Sequence, residues 1–215
     1  MRIERDAETG RILYEFWTVD GRKHRIGDPA VRQFDLETGN LIRETFFIDD
    51  RRHRVGEPAV VHRDAETGEV TYEAWFERGI AHREGDQPAK VCRDPVSGIV
   101  AQEAYYRCDE EHRESGPARI DRDPETGVVI YEAWKNQGAL HRPDNLPAVQ
   151  EIDPTTSVVT LEEYWVDDVL HRDDGPARIV RDGRSGEVLS QEHYSFGAYQ
   201  AHADGPDDDA PGRAP

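Results

Sequence analysis

The sequence is poor in several residue types on which stable folds commonly rely. Its 215 residues include two cysteines and one methionine, and lysine supplies only three of the 27 basic residues. Hydrophobic residues make up 36%, and no apolar run approaches the roughly 20 residues of a membrane span. Cys92 and Cys108 stand at unrelated positions of the repeat described below. This placement favours free thiols over a disulfide framework.

Positive charge is also scarce. The 27 Lys and Arg residues face 45 Asp and Glu residues, so the formal net charge is −18. Because phosphate backbones and anionic membrane surfaces would be repelled, we expect neither direct nucleic-acid binding nor membrane docking. The N-terminal residues lack the apolar core of a signal peptide, which favours a cytoplasmic protein. Four Trp, eight Tyr and six Phe argue for a folded chain despite the low hydrophobicity.

What the chain has instead is an internal repeat with a period of 29 to 31 residues. The dipeptide His-Arg recurs six times, and Pro-Ala follows each copy after five or six residues. The six pairs are His24-Arg25, His53-Arg54, His82-Arg83, His112-Arg113, His141-Arg142 and His171-Arg172. His202 begins a decayed seventh copy. The repeat therefore covers residues 1–202, and the acidic, proline-containing tail at 203–215 is predicted to be disordered.

Three further residue columns recur in the same register. An aspartate opens each Asp-x-Glu-Thr-Gly segment or its degenerate form, a glutamate follows, and an aromatic residue stands two positions after that glutamate. The aspartates are Asp6, Asp35, Asp64, Asp94, Asp123, Asp153 and Asp182. The glutamates are Glu15, Glu44, Glu73, Glu103, Glu132, Glu162 and Glu192. The aromatic residues are Trp17, Phe46, Trp75, Tyr105, Trp134, Tyr164 and Tyr194.

Each unit carries two turn signals, and apolar and polar residues alternate between them. Asp-x-Glu-Thr-Gly predicts a hairpin loop in which Asp caps the turn and Gly takes a positive φ. The second signal, such as Asp20-Gly21, precedes the histidine, and alternate units have Asp in place of Gly. The alternation has strand period, with two strands per unit. We therefore predict an all-β fold: an elongated, single-layer antiparallel sheet of about seven β-hairpin repeats, on the order of 65 Å long.

The unit x-Trp-x-x-x-Gly-x-x-His-Arg-x-x-Gly-Pro-Ala resembles the variant MORN-type repeats. Residues 134–148 and 164–177 show the pattern best. Similar units occur in YwqK-type antitoxin proteins and in phage and giant-virus proteins. The resemblance implies an elongated antiparallel sheet that binds other proteins.

The His-Arg pairs are the first candidates for chemistry. Equivalent histidines two strands apart would lie about 9.6 Å from each other, too far to share a zinc ion with ligands at about 2 Å. We therefore expect no metal site and no cofactor. The pairs are interpreted as structural, with hydrogen bonds and ion pairs to the adjacent hairpin. A ladder for phosphate or acidic ligands is the alternative, because Arg suits bidentate contacts.

The aromatic and glutamate columns are the second candidate. A glutamate and the aromatic residue two positions later point to one face of a strand. The stripe is either core, with Glu pairing Arg of a neighbouring strand, or a partner-binding surface rich in residues typical of interface hot spots. The candidate binding residues are Trp17, Trp75, Tyr105, Trp134, Tyr164, Glu73 and Glu132.

The sequence favours a non-catalytic protein that binds another protein. No catalytic or nucleotide-binding motif is present, and near-identical repeats lack the asymmetric pocket that catalysis requires. Within that class we expect an antitoxin or immunity protein whose negative charge suits a basic toxin. An acidic DNA mimic that inhibits a nucleic-acid-binding protein, a phage or cell structural scaffold, and an enzyme of unknown type remain alternatives. A second copy of the chain, forming a homo-oligomer, is an alternative partner.

Overall fold

The computed structural model describes residues 1–200, which form 27 β-strands and no helix. In chain order the strands are β1 (Arg2–Arg5), β2 (Ile12–Phe16), β3 (Thr18–Val19), β4 (Arg22–Lys23), β5 (Val31–Phe34), β6 (Leu41–Thr45), β7 (Phe47–Ile48), β8 (Arg51–Arg52), β9 (Val60–Arg63), β10 (Val70–Ala74), β11 (Phe76–Glu77), β12 (Ile80–Ala81), β13 (Lys90–Arg93), β14 (Val100–Ala104), β15 (Tyr106–Arg107), β16 (Glu110–Glu111), β17 (Arg119–Arg122), β18 (Val129–Ala133), β19 (Lys135–Asn136), β20 (Ala139–Leu140), β21 (Val149–Ile152), β22 (Val159–Glu163), β23 (Trp165–Val166), β24 (Val169–Leu170), β25 (Arg178–Arg181), β26 (Val188–Ser195) and β27 (Ala198–Gln200).

The longer strands build one open antiparallel sheet, which confirms the predicted fold class. Its 15 strands follow the order β1-β2-β5-β6-β9-β10-β13-β14-β17-β18-β21-β22-β25-β26-β27, so neighbours in the sheet are neighbours along the repeat. Six two-stranded hairpins lie outside this sheet, the first being β3 with β4. A complete unit thus contributes one long hairpin and one short hairpin.

The Asp-x-Glu-Thr-Gly segment closes each long hairpin as predicted. In the third unit the Asp64 carboxylate accepts hydrogen bonds from the backbone N–H of Glu66 at 3.0 Å and of Thr67 at 2.8 Å, and from the Thr67 hydroxyl at 3.0 Å. Gly68 has a φ of 76°, which a residue without Cβ adopts at no steric cost. A register shift before the aspartate, between β9 and β10, marks a bulge at this end of the strand.

The seven turn aspartates predict how stability depends on pH. Hydrogen bonds from the turn hold the pKa of each carboxyl below its ordinary value of 3.8; for Asp64 the largest cause is the N–H of Thr67. A carboxyl with a lowered folded-state pKa stabilises the fold above its unfolded-state pKa, and this stabilisation is lost as pH falls through the folded-state value. We therefore expect Asp64→Ala to lower the Tm at neutral pH and the difference from wild type to shrink in acid.

Thermal melts of wild type and Asp64→Ala between neutral pH and pH 2 measure this effect. Glu66→Ala is the matched control, because it removes a neighbouring carboxylate that caps no turn. A Tm difference for Asp64→Ala that stays constant across the acid range would contradict the capping role.

The second turn signal closes the short hairpin. Asp20 and Gly21 both have positive φ, 50° and 77°, as do Asp49 and Asp50 in the next unit, which is the two-residue turn typical of hairpins. The sequence predicts two strands per unit, whereas the structure has four, because the chain leaves the large sheet at the aromatic residue. The Trp17 N–H still donates to the Ala30 carbonyl at 2.8 Å, after which two residues on each side pair as β3 and β4.

Backbone hydrogen bonds join the short hairpins into a second row beside the sheet. The Arg25 N–H donates to the Phe47 carbonyl at 3.1 Å, and the Asp50 N–H donates to the Lys23 carbonyl at 3.0 Å. Equivalent bonds link later units, such as the one from the Gly138 N–H to the Glu111 carbonyl at 2.9 Å. The extra strands are therefore held by neighbouring units as well as by their own turns.

The core lies where sheet and short hairpins meet. The alanine of every Pro-Ala pair is 0% exposed; these are Ala30, Ala59, Ala89, Ala118, Ala148 and Ala177. Ala59 belongs to a buried cluster with Phe46, Val60, Ala74, Phe76 and Ala81. A small, fully buried alanine thus recurs at the same point of this junction in all six units.

In the seventh unit the strand register differs by one residue from the one that the residue columns of the repeat predict. The Ala177 N–H donates to the Glu192 carbonyl, as the Ala118 N–H donates to the Ala133 carbonyl, and these bonds fix the register. Gln191 therefore faces Ile179 at the position that the glutamates hold elsewhere. The assignment of Glu192 and Tyr194 to the glutamate and aromatic columns was wrong. These two residues have the spacing of the two columns but lie one position further along the chain.

Within residues 1–200 no helix has the length and apolar character to cross a membrane. The predicted disordered tail at 203–215 lies outside the described residues, as do the last two residues of the predicted array.

Far-ultraviolet circular dichroism should show strand with little helix. The expectation rests on the two turns in each unit, which leave no segment long enough for a helix. A helical fraction above about a third, the average of globular proteins, would contradict the repeat architecture.

Candidate functional site

The arginine of each His-Arg pair covers the aromatic residue of its own unit. Its guanidinium carbon lies 3.6 to 4.0 Å from the ring centroid in all six units. In five units the guanidinium also donates to the carbonyl of the Pro-Ala proline; Arg113 instead binds the Asp86 carboxylate, at 3.0 and 3.1 Å. Cation–π stacking over an aromatic ring was missed by the sequence analysis, which had considered only hydrogen bonds and ion pairs.

The predicted binding aromatics differ in how accessible they are, although an arginine stacks on every one of them. Trp75, Tyr105 and Tyr164 are each 7% exposed. Trp17 and Trp134 are half-buried. A partner that approaches this face therefore reaches the rings of Trp17 and Trp134 before the other three.

Five of the six histidines contact the next unit through Nδ1. Where the next short turn contains glycine, Nδ1 accepts a backbone hydrogen bond, as His53 does from the Arg78 N–H at 3.2 Å. Where the next turn has two acidic residues, Nδ1 faces a carboxylate, as His24 faces Asp49 at 2.9 Å. In the unit of His82 the facing position is Cys108, and within residues 1–200 Nδ1 has no hydrogen-bond partner.

The glutamate column lies on the same face of the sheet as the stacked aromatics, and we name this the glutamate face. Four of its glutamates pair with the arginine that precedes the aspartate of the next unit. The pairs are Glu44 with Arg63 at 3.8 Å, Glu73 with Arg93 at 3.7 Å, Glu103 with Arg122 at 2.7 Å and Glu162 with Arg181 at 2.6 Å. The column is therefore largely neutralised within the sheet.

Glu132 departs from this pattern because its arginine is missing. Ile152 occupies the position of Arg122 and Arg181, and no basic group within residues 1–200 lies within 4.0 Å of the Glu132 carboxylate. Phe34 occupies the same position opposite Glu15, but there Arg32 supplies a replacement at 3.7 Å. Glu132 is thus a half-buried carboxylate without a close ion pair.

The surroundings of Glu132 change the pKa of its carboxyl group. Burial raises the pKa of this carboxyl above its ordinary value of 4.5, while the positive charges of Arg142 and Arg122 oppose the rise. Removal of water around a carboxylate disfavours the charged form unless a cation compensates. A cation of a partner placed against Glu132 would therefore offset the free-energy cost of burying this carboxylate. In the isolated protein no close cation offsets that cost.

We name the place beside Glu132, Trp134 and Ile152 the Glu132 opening. Glu132 and Trp134 point to one face, and Arg142 stacks on the indole at 3.6 Å. Among the residues predicted to bind a partner, the structure puts these two at the opening. It puts Glu73 in an ion pair and leaves Trp75, Tyr105 and Tyr164 only 7% exposed. Trp17 is half-buried, but its neighbour Glu15 is paired with Arg32. The signal that could have found the opening is the replacement of Arg by Ile before Asp153.

Purified protein should contain no stoichiometric zinc. Within residues 1–200 no group of three or more His, Cys, Asp or Glu side chains could hold a metal ion, and both cysteines are free. Elemental analysis after dialysis against trace zinc measures this directly. One zinc per chain would contradict the structural role of the histidines.

No protein-family model matches the sequence, and no curated protein matches it.

Proposed function

We propose that the chain is a non-catalytic, cytoplasmic protein that binds another protein, with the Glu132 opening as the anchor point for a basic side chain of that partner. The unpaired, half-buried carboxylate of Glu132 beside the half-buried ring of Trp134 carries the proposal. An arginine or lysine of the partner would take the place that Arg122 and Arg181 hold in other units.

The charge of the chain supports a basic partner. Residues 101–200, which contain the opening, include 21 acidic and 10 basic residues, whereas residues 1–100 include 20 acidic and 16 basic residues. Negative potential around a binding site speeds the approach of a basic partner, while close charge pairs determine how long it stays. The more acidic half therefore contains Glu132, the one glutamate of the column with no close cation within residues 1–200.

The partner class that we propose is a basic toxin, which makes the chain an antitoxin or immunity protein. Two observations support this class: the resemblance of the units to repeats of antitoxin proteins, and the net charge of −18. Neutralising a basic enzyme requires coverage rather than catalysis, and an extended acidic sheet provides such a surface.

Affinity capture from the source cells tests the proposal with matched baits. Wild type should retain at least one basic protein, and Glu132→Gln should retain it at least about tenfold less, because a charge-assisted hydrogen bond is lost. Glu125→Gln removes the same charge from an exposed turn and should behave as wild type.

Two further results decide the function. Co-expression with the captured protein should rescue growth if that protein is toxic, and the rescue should weaken with Glu132→Gln. Capture that is identical for wild type and Glu132→Gln would contradict the proposed anchor point. Binding undiminished at 1 M salt would contradict its electrostatic basis, because charges are then screened within about 3 Å.

A further inference from the structure

The face opposite the glutamate face carries a group of basic residues in its N-terminal half. The register of β6, β9 and β10 places His62 directly between Arg43 and Tyr72. The rings of His62 and Tyr72 have centroids 4.9 Å apart. Three side chains that are able to donate hydrogen bonds thus stand in one row across three strands.

Two more cations flank this row. The Arg52 guanidinium, on β8, lies 5.1 Å from the centroid of the Phe76 ring, and the Lys90 ammonium, on β13, lies 4.0 Å from that of Tyr106. Phe76 is part of the buried cluster against which Tyr72 and Tyr106 pack. The rings therefore fix both cations beside Tyr72. We name Arg43, Arg52, His62, Tyr72 and Lys90 the cationic patch.

The cations of the patch act on the ionisation of His62 and Tyr72. Burial, and the positive charges of Arg43 and Arg52, hold the pKa of His62 below its ordinary value. Burial raises the pKa of Tyr72, and the charges of Lys90 and Arg52 oppose that rise.

The cationic patch lacks a compensating carboxylate. Within residues 1–200 no Asp or Glu oxygen lies within 4.0 Å of the charged groups of Arg43, Arg52 or Lys90, although the chain as a whole is strongly acidic. The Nε2 atom of His62 is buried and has no hydrogen-bond partner there. A buried polar atom without a partner costs free energy, and a bound acceptor would recover it.

The repeat does not reproduce the patch elsewhere. The position of Arg43 is held by Gln102 and Leu161 in later units, and that of His62 by Asp121 and Glu151. The patch is therefore a local, asymmetric feature and not a rung that recurs with every unit.

We propose that the cationic patch binds a phosphate group. Arginine and lysine side chains offer only donors, the Tyr72 hydroxyl can donate, and His62 donates from Nε2 once protonated or in the Nε2–H tautomer. A phosphate monoester has up to two negative charges and three strong acceptor oxygens, which matches donors arriving from five strands better than a carboxylate with two oxygens does. This site lies on the other face from the Glu132 opening and takes a ligand of opposite charge, so it is independent of the proposed function.

Titration of the full-length protein with inorganic phosphate tests the site. The imidazole signals of the nine histidines are followed by NMR at constant ionic strength, and His62→Gln assigns the relevant signal. Saturating phosphate should raise the pKa of His62, because the bound anion favours the protonated ring against Arg43 and Arg52. Acetate at the same ionic strength should shift this pKa much less.

Two variants at neighbouring positions distinguish phosphate binding at a specific site from a general effect of the protein's net charge. Arg52→Gln should weaken phosphate binding by about tenfold, as expected for the loss of a charge-assisted hydrogen bond. Arg51→Gln removes the same charge one residue away, where the side chain points to the other side of β8, and should leave the affinity unchanged. An unchanged pKa of His62 at saturating phosphate, equal losses in the two variants, or an equal effect of acetate would each overturn the proposal.

Discussion

Replacing Trp75 with alanine should lower the free energy of unfolding by about 3–5 kcal/mol, the range for removal of a large buried aromatic side chain. Trp75 is 7% exposed, and Arg83 stacks on its ring at 3.7 Å. The substitution removes both the buried indole and the surface on which the guanidinium rests. Denaturant unfolding, followed by far-ultraviolet circular dichroism, measures the loss.

Trp17→Ala is the matched control for this prediction. Trp17 bears the same stack, with Arg25 at 4.0 Å, but it is half-buried in the first unit. Its loss should therefore cost clearly less than that of Trp75. Equal and small losses, each below about 1 kcal/mol as for ordinary surface substitutions, would show that the stacked aromatics are not core.

Ala59→Leu should destabilise the protein by about 1–3 kcal/mol or more, because extra methylene groups do not fit a packed core. Ala59 is 0% exposed and touches the cluster of Phe46, Val60 and Phe76. A larger side chain there must push the short hairpin away from the sheet. Thermal and denaturant melts of the purified variant measure the effect.

Ala7→Leu provides the comparison for Ala59→Leu. Ala7 is exposed in the first long turn, so the same change of side chain should alter the free energy of unfolding by no more than about 0.5 kcal/mol. Wild-type stability of Ala59→Leu would contradict the tight junction that the repeated Pro-Ala indicates.

The features that the sequence predicts well are those carried by local chemistry. The turn at Asp64 and the turn at Gly21 depend on residues within a few positions, and both form as expected. The strand alternation between them follows from the same short range. The separation of the short hairpins from the large sheet was not predicted, because it depends on bonds between units, such as that from Arg25 to Phe47.

The candidate site was only partly predictable. Glu73 and Glu132 look equivalent within their own units, and the difference between them depends on the residue 20 positions later, Arg93 in one case and Ile152 in the other. The stacking of Arg83 on Trp75 likewise joins residues on the two sides of a short hairpin. Such contacts require the register of the strands, which sequence spacing alone does not specify.

The cationic patch was not predicted from the sequence at all. Arg43, His62 and Tyr72 belong to two different units and come together only through the pairing of β6, β9 and β10. Their positions vary from unit to unit, so the repeat pattern gives no signal for them. A search for recurring residues overlooks a site that occurs once.

Ile152→Arg is the substitution that tests the proposed function most directly. It supplies the arginine that four other units have, so Glu132 should gain an ion pair within the sheet and the protein should fold at least as stably as wild type. Phe34→Arg is the matched control, since it places an arginine at the equivalent position opposite Glu15, which Arg32 already pairs.

Affinity for the captured basic protein is then compared among wild type and these two variants. We predict that Ile152→Arg weakens this affinity at least about tenfold, the loss of one charge-assisted contact, while Phe34→Arg leaves it unchanged. Undiminished binding by a folded Ile152→Arg variant would contradict the Glu132 opening as the partner's anchor point.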